Sequence, residues 1–518
     1  MLKSSYYIEP TEMDKLIFEK LIPGDHYLRK VKAVIDFERF REKVRDCYSP
    51  NMGSPAEDPV RLIKLEFLEF QYSLSDRDVI EQAKVNVAFR FFLDLSLGSQ
   101  LPVASLLSQF RTRLGEERHR ALFDEVVSQA RGKGLVKDRL RLKDATHVIA
   151  NIAVPSTIEL VAQTRDRLLE STRPYAPDRV WEEEAKAAQI TQATADLKDE
   201  ERLLQRVSQL RQIVAWADQL QQSLGEAPTP PDKARQRFDY ALALAHKVLS
   251  DRQEPNKPDQ VRSVVDPEAR RAKHGDFYDG YLLDISTDAD SELITALNLL
   301  PGNGEEAADA QLLISSEEEA HGNDIPELSI DGVGWQGEVL RTLSDPDGLN
   351  LEVYVPPQPR PSDGDRFTPD DFILNQTKDV LTCPGGQSTS SRERNTNNTG
   401  WKFIFPRRLC KRCELLSQCL PRLPKSKGRS VIKNDYQPEY DAAWQRSETQ
   451  RYSQVRSLHP LIERKLCEIV CHHGGRKTRY RLRWRVKIQY LLTAMVVNIK
   501  RIVKLLSPPM PQPALRPV

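Results

Sequence analysis

Apolar residues recur at helical spacing from about residue 25 to residue 130. In RLIKLEFLEFQY the positions Leu62, Leu65, Phe67, Leu68 and Tyr72 form one stripe. SLSDRDVIEQA opens the next helix, with Ser75 as N-cap and Asp78 three residues on as its capping-box partner. SLLSQFRTRL supplies a third helix, with Arg111 and Arg113 expected to face outward. The pattern fits a helix-turn-helix bundle or an ordinary helical bundle equally well. The period then changes. In RLRLKDATHVIANI (139–152) Leu140, Leu142 and Val148 read as buried strand positions, and alternation puts Asp144 and Thr146 on the face of the two leucines. Helical spacing returns over 155–260, where Leu203, Val207, Leu210 and Val214 recur and APTPPDKA breaks the run into a helical hairpin. DGYLLDISTD and ELITALNLL predict a strand pair, and LSIDGVGW predicts a strand ending in Asp331 before Gly332 and Gly334.

The rest of the chain divides by composition. Residues 345–445 are rich in Pro, Gly, Ser, Asn and Thr, with short strands in LEVYVP and WKFIFP. Helices follow over 458–470 and 485–506. The expected segments are a loose lead-in (1–24), an N-terminal helical domain (25–130), a core in three parts (131–154, 261–344 and 446–506), a helical insertion (155–260), a β-rich insertion (345–445) and a disordered Pro-rich tail (507–518).

Charge changes this picture more than composition does. The net charge of +1 conceals about +19 over residues 401–518 and about −18 before them. A basic third of this kind suits a polyanion, because neutralised phosphates release counterions. The first fifteen residues lack the apolar run of a secretory signal, and YLLTAMVVNI is too short to span a bilayer. Seven cysteines without such a signal favour reduced or metal-bound thiols.

Three acids stand out: Asp144 within a strand, Asp331 after a later strand, and Glu463 on a helix otherwise basic. That order can gather carboxylates around two divalent ions, and oxygen ligands suit Mg²⁺. Cys383, Cys410, Cys413 and Cys419 form C-x26-C-x2-C-x5-C, which offers a closed structural zinc site or four unligated packed thiols. Cys467 and Cys471, one helical turn apart beside His472 and His473, offer a second metal site or, more simply, buried packing on the glutamate helix. RKTRYRLRWRVK (476–487) presents Arg476, Arg481, Arg483 and Arg485 to phosphates, with Tyr480 and Trp484 available to stack.

On these stretches the chain resembles a bacterial insertion-sequence DDE transposase. DATHVIANI resembles that family's first-aspartate motif and LSIDGVGW its second. HPLIERKLCEIV with YLLTAMVVNIKRI resembles its glutamate helix and basic tail, SLSDRDVIEQAKVNVAFRFFLDLS with SLLSQFRTRL its N-terminal DNA-binding module, and CPGG a Cys-Pro-x-Gly segment of the longer members. The resemblance implies an α/β fold with an RNase H-like mixed-sheet catalytic core. It implies Asp144, Asp331 and Glu463 as ligands of two Mg²⁺ or Mn²⁺ ions. The implied activity is strand cleavage at transposon ends and 3′-hydroxyl transfer into target DNA, by a homodimer in the DNA complex. It also implies a cytoplasmic, nucleoid-associated protein. The sequence departs from the family at Trp335, where a Tyr is usual, and around the glutamate, where Arg456, His459 and Val470 stand. Arg456, Arg464 and Lys465 could supply the missing charge, and His459 a weaker contact. A decayed copy that only binds DNA, and a nuclease that cuts without joining, are the rival readings.

Overall fold

The computed structural model describes residues 2, 6, 10–49, 52–225, 232–359 and 366–507. Seven helices open the chain: α1 (Glu12–Leu21), α2 (Tyr27–Val34), α3 (Arg39–Lys43), α4 (Pro59–Gln71), α5 (Asp76–Val85), α6 (Val87–Phe92) and α7 (Ser105–Gly132). The lead-in expected to be loose therefore holds a helix. Thr11 and Asp14 cap α1 reciprocally, and Phe18 anchors it in the core. Ser75 caps α5 as its sequence predicts, accepting the Asp78 N–H at 3.2 Å. Helix α4 is buried from Pro59 to Phe70 on every face, whereas Tyr72 is exposed.

A six-stranded sheet follows, built from β1 (Leu140–Ile149), β2 (Arg270–His274), β3 (Asp276–Asp288), β4 (Ile294–Pro301), β5 (Glu327–Ile330) and β6 (Glu352–Tyr354). β3 pairs antiparallel with β1, β2 and β4, while β5 runs parallel to both β1 and β6. With the short β2 set aside as an added edge strand, the antiparallel β1, β3 and β4 followed by the parallel β5 and β6 beside β1 give the RNase H-like arrangement.

Between β1 and β2 lies the helical insertion. It holds four helices, α8 (Thr157–Thr172), α9 (Pro177–Ala193), α10 (Asp199–Ser223) and α11 (Lys233–Gln253), two more than a single hairpin. They close around their own cluster, in which Val207, Leu210 and Val214 are buried. Most of the APTPPDKA break lies outside the described residues. Helix α12 (Glu306–His321) connects β4 to β5, and α13 (Gly337–Leu343) precedes β6.

The β-rich insertion forms two small three-stranded sheets. One comprises β7 (Ile373–Leu374), β8 (Leu381–Thr382) and β9 (Ser388–Thr389); the other comprises β10 (Arg392–Arg394), β11 (Gly400–Ile404) and β12 (Ser430–Asn434). The short helices α14 (Arg407–Lys411) and α15 (Leu416–Cys419) lie between the last two strands. The chain returns to the core through α16 (Gln437–Ser447), α17 (Gln450–Leu458) and α18 (Pro460–Cys467). A π-turn over Glu468–His472 follows, and then the long α19 (Arg483–Leu506). The Pro-rich tail falls outside the described residues, apart from Ser507.

Helix α19 ties the ends of the chain together. Its apolar residues share one continuous cluster with Phe67 and Phe92 of the N-terminal helices and with Leu142 and Leu283 of the sheet. Asn498 pins it to β4, accepting the Ile294 N–H at 2.8 Å and donating to the Ile294 carbonyl at 2.7 Å. The N-terminal helices are thus packed onto the core rather than tethered beside it.

Candidate active site

Strand pairing creates the site. β1 and β5 are parallel, and their last paired residues are Lys143 and Ile330. The next residue on each strand is an acid, Asp144 and Asp331. Neighbouring strands lie about 4.8 Å apart, and parallel partners project to the same face. The register alone therefore brings the two carboxylates together. Asp331 also caps the turn Gly332–Gly334, accepting the Val333 N–H at 3.1 Å. A glycine is needed at the end of that turn, since a Cβ on Gly334 would lie 2.5 Å from Ile330 Cγ2.

A third acid joins them that the sequence reading passed over. Asp144, Glu306 and Asp331 each offer one carboxylate oxygen, and the three oxygens lie within 4.8 Å of one another. All three side chains are half-buried. Glu306 opens α12, where the helix dipole favours an anion. Burial pushes the Asp144 carboxyl up to about 7, and the charges of Asp331 and Glu306 push the same way, against the Ala145 N–H it accepts at 2.8 Å. Without a cation this cluster is electrostatically unfavourable, which is the condition a metal site presents when its ion is absent.

The residues alternating with the site hold α12 in place. Lys143 is fully buried, and its ammonium lies 3.1 Å from Asp284, 2.8 Å from the Glu306 carbonyl and 3.3 Å from Glu306 Oε1. Burial works against its charge, but Asp284 and Glu306 more than offset this and raise its pKa. Arg141, also fully buried, donates to Glu317 at 2.6 Å and to Asp288 at 2.9 Å. Two buried cations on β1 thus grip α12 at both ends and fix Glu306 beside Asp144. Two cations signalled this: Arg141 and Lys143 precede Asp144 in β1 and alternate with Leu140 and Leu142.

Glu463 lies exposed on α18, which packs against β1. It does not join the three clustered oxygens, yet its charge reaches Arg456, as do those of Asp331 and Asp144. Arg456 donates to the Ile330 carbonyl at 2.9 Å and to Ser329 Oγ at 3.0 Å, bracing the end of β5 just before Asp331.

The other expected DNA contacts separate into free and committed cations. Arg111 is 7% exposed rather than facing outward, and its guanidinium donates to Glu69 at 3.1 Å and to Asp76. Its partners on α4 and α5 draw it inward, so it is unavailable to phosphate. His459 is 4% exposed, and burial holds its pKa down at about 4, so it is neutral. Its Nδ1 sits 3.1 Å from Ser329 Oγ. Lys465, also 4% exposed, is engaged by Glu468 at 3.0 Å. Tyr480 is half-buried beneath Arg111 and offers no free ring. Trp484 packs partly into the core, with Arg485 over its ring at 4.9 Å. Arg476 and Arg483 are half-buried and hydrogen-bonded to backbone carbonyls, while Arg481 is exposed and donates to the Asn151 carbonyl at 2.9 Å. Arg113, Arg464 and Arg485 remain exposed. Arg407, Arg408, Lys411 and Arg412, which the sequence reading did not single out, form a further exposed run.

Trp335, at the position of a family tyrosine, stacks on Tyr440 and Trp444 with both centroids at 5.3 Å. It joins α16 to the turn after Asp331 and packs in its own apolar cluster.

The fold and the acids together define a class: an RNase H-like core with an acidic cluster of the DDE type. Comparison with known families agrees. Residues 16–113 match the family described as Transposase domain (DUF772), and residues 382–503 match the family described as Transposase DDE domain. Both matches are to transposase families and support an insertion-sequence DDE transposase. No curated protein and no solved structure matches it. The second match contains Glu463 but neither aspartate. Such a domain implies use of a divalent metal. Among the described residues, no helix is long and apolar enough to cross a membrane.

Proposed function

We propose that this chain binds the ends of its transposon and carries out metal-dependent strand cleavage followed by 3′-hydroxyl transfer into target DNA. The observation that carries the reading is the approach of Asp144, Glu306 and Asp331 within 4.8 Å on an RNase H-like sheet. Three carboxylate oxygens on rigid elements suit Mg²⁺ or Mn²⁺, hard ions that take few protein ligands. When bound, such ions activate an attacking oxygen and stabilise a leaving one at phosphorus. Asp144 and Asp331 would hold them, with Glu306 and Glu463 as further carboxylates. Arg456, fixed between β5 and the acids, would orient the scissile phosphate. Arg113, Arg464, Arg481, Arg485 and the exposed run Arg407–Arg412 would follow the DNA backbone, positioning it without reading sequence. A homodimer would bring two ends together.

The test uses DNA carrying the element's own ends. Cleavage with Mg²⁺, and joining of pre-cut ends to a target plasmid, are expected of the full chain. Cleavage without joining would reduce the reading to a nuclease. Binding with neither would reduce it to a DNA-binding protein.

A further inference from the structure

The β-rich insertion is too small to hold itself together by burial. Its apolar cluster contains five buried residues: Phe372, Leu381, Phe403, Phe405 and Val431. Its six strands are two to five residues long. Segments with so little core need a covalent or metal staple. No disulfide supplies one, because all seven cysteines are free.

Four of those cysteines come near one another, although no three of their sulfurs lie within 4.8 Å of each other. Cys383, Cys410, Cys413 and Cys419 line one cavity of about 30 Å³, whose other walls include Phe372 and Phe405. That is room for a single ion or water. Cys383 comes from the turn after β8. The Gly386 N–H donates to the Cys383 carbonyl at 2.8 Å, and Gly386 takes a positive φ of 73°. Cys410 and Cys413 lie on one tight turn, with the Cys413 N–H donating to the Cys410 carbonyl at 3.2 Å. A Cβ placed on Gly385 would lie 3.3 Å from Cys413 Sγ and 3.8 Å from Cys383 Sγ, so these two sulfurs flank the same glycine. The Arg429 N–H points at Cys410 Sγ from 3.4 Å, and Gly428 makes room, since its Cβ would sit 2.5 Å from that sulfur.

We propose that Cys383, Cys410, Cys413 and Cys419 bind one structural zinc ion that joins the two small sheets of the insertion. Four thiolates in a small, apolar-lined pocket are a zinc donor set, distinct from the oxygen cluster of the catalytic face. Amide donation to a ligating sulfur, as from Arg429, stabilises its thiolate. The ion would also fix the turns that carry Arg407, Arg408, Lys411 and Arg412.

The test is metal content of the full-length protein by mass spectrometry. One zinc per chain is expected, released by a mercurial reagent and lost in Cys410→Ser and Cys413→Ser. Cys467→Ser should retain it. Cobalt exchanged into the wild type should give the intense visible bands of a tetrahedral thiolate site. Zinc release from the wild type should expose the Arg407–Lys427 stretch to trypsin while the core resists digestion, a readout independent of whether the variants fold. Absence of zinc, zinc content unchanged in Cys410→Ser, coloured iron in its place, or unaltered trypsin cleavage after release would each overturn the proposal.

Discussion

Replacing Asp144 with asparagine should stabilise the metal-free protein. The folded-state pKa of Asp144 is raised from 3.8 to about 7 by burial and by the facing charges of Asp331 and Glu306. Because the folded value lies above the unfolded one, the folded state holds this proton more tightly. The associated stability is fully present below pH about 4, and it is lost as pH rises to about 7. Three pH units at about 1.4 kcal/mol each set a ceiling of about 4 kcal/mol. Solvent reaching the half-buried cluster reduces this to about 2 kcal/mol. Asparagine keeps the shape and can still accept the Ala145 N–H, but carries no charge to repel its neighbours. Urea unfolding in EDTA should give matching stabilities for Asp144→Asn and wild type at pH 4. By pH 8 the variant should lead by about 2 kcal/mol. Saturating Mn²⁺ should reverse the order, since an ion that binds only the folded wild type stabilises it in proportion to occupancy. A variant no more stable than wild type at pH 8 in EDTA would refute the electrostatic reading of the cluster.

Further outcomes follow from the same contacts. Lys143→Met should destabilise the protein by about 3–5 kcal/mol in urea unfolding, because it leaves Asp284 and Glu306 facing each other unbalanced in the interior. The salt dependence of DNA binding should shallow by about one unit of slope in Arg464→Ala and stay unchanged in His459→Gln, because His459 is buried and neutral. Glu306→Gln and Glu463→Gln, compared by Mn²⁺ titration calorimetry, should each weaken binding by about tenfold or more. A variant that binds as wild type does would remove that carboxylate from the metal site.

Much of the fold was readable from periodicity. The strand of Asp144, the pair over 276–301 and the strand ending at Asp331 fall where alternation and turn residues place them. Two classes of feature were not. Helix α4 shows an amphipathic stripe in sequence but is buried all round, because α19, more than four hundred residues away, covers its second face. Arg111 looks like a solvated cation for the same reason: its partners Glu69 and Asp76 lie on other helices, which local spacing does not encode; Lys465 has its partner Glu468 three residues on, and what the sequence does not show is its burial. Of the site, Asp144 and Asp331 were legible because each stands out within or at the end of a locally visible strand pattern; that the two strands pair in parallel was not. Glu306 was not, because an acid in a helix's first turn is ordinarily a dipole partner. Only the buried Lys143 beside it marks the position as special.

The most direct test of the central claim is nicking of DNA carrying the element's ends in Mg²⁺, with wild type set against Asp331→Asn and with circular dichroism and DNA affinity measured on the same samples. The account predicts cleavage by the wild type that EDTA abolishes, and a loss of at least a hundredfold in a variant that still folds and still binds. Equal cleavage by folded Asp331→Asn, or wild-type cleavage that persists in EDTA, would contradict it.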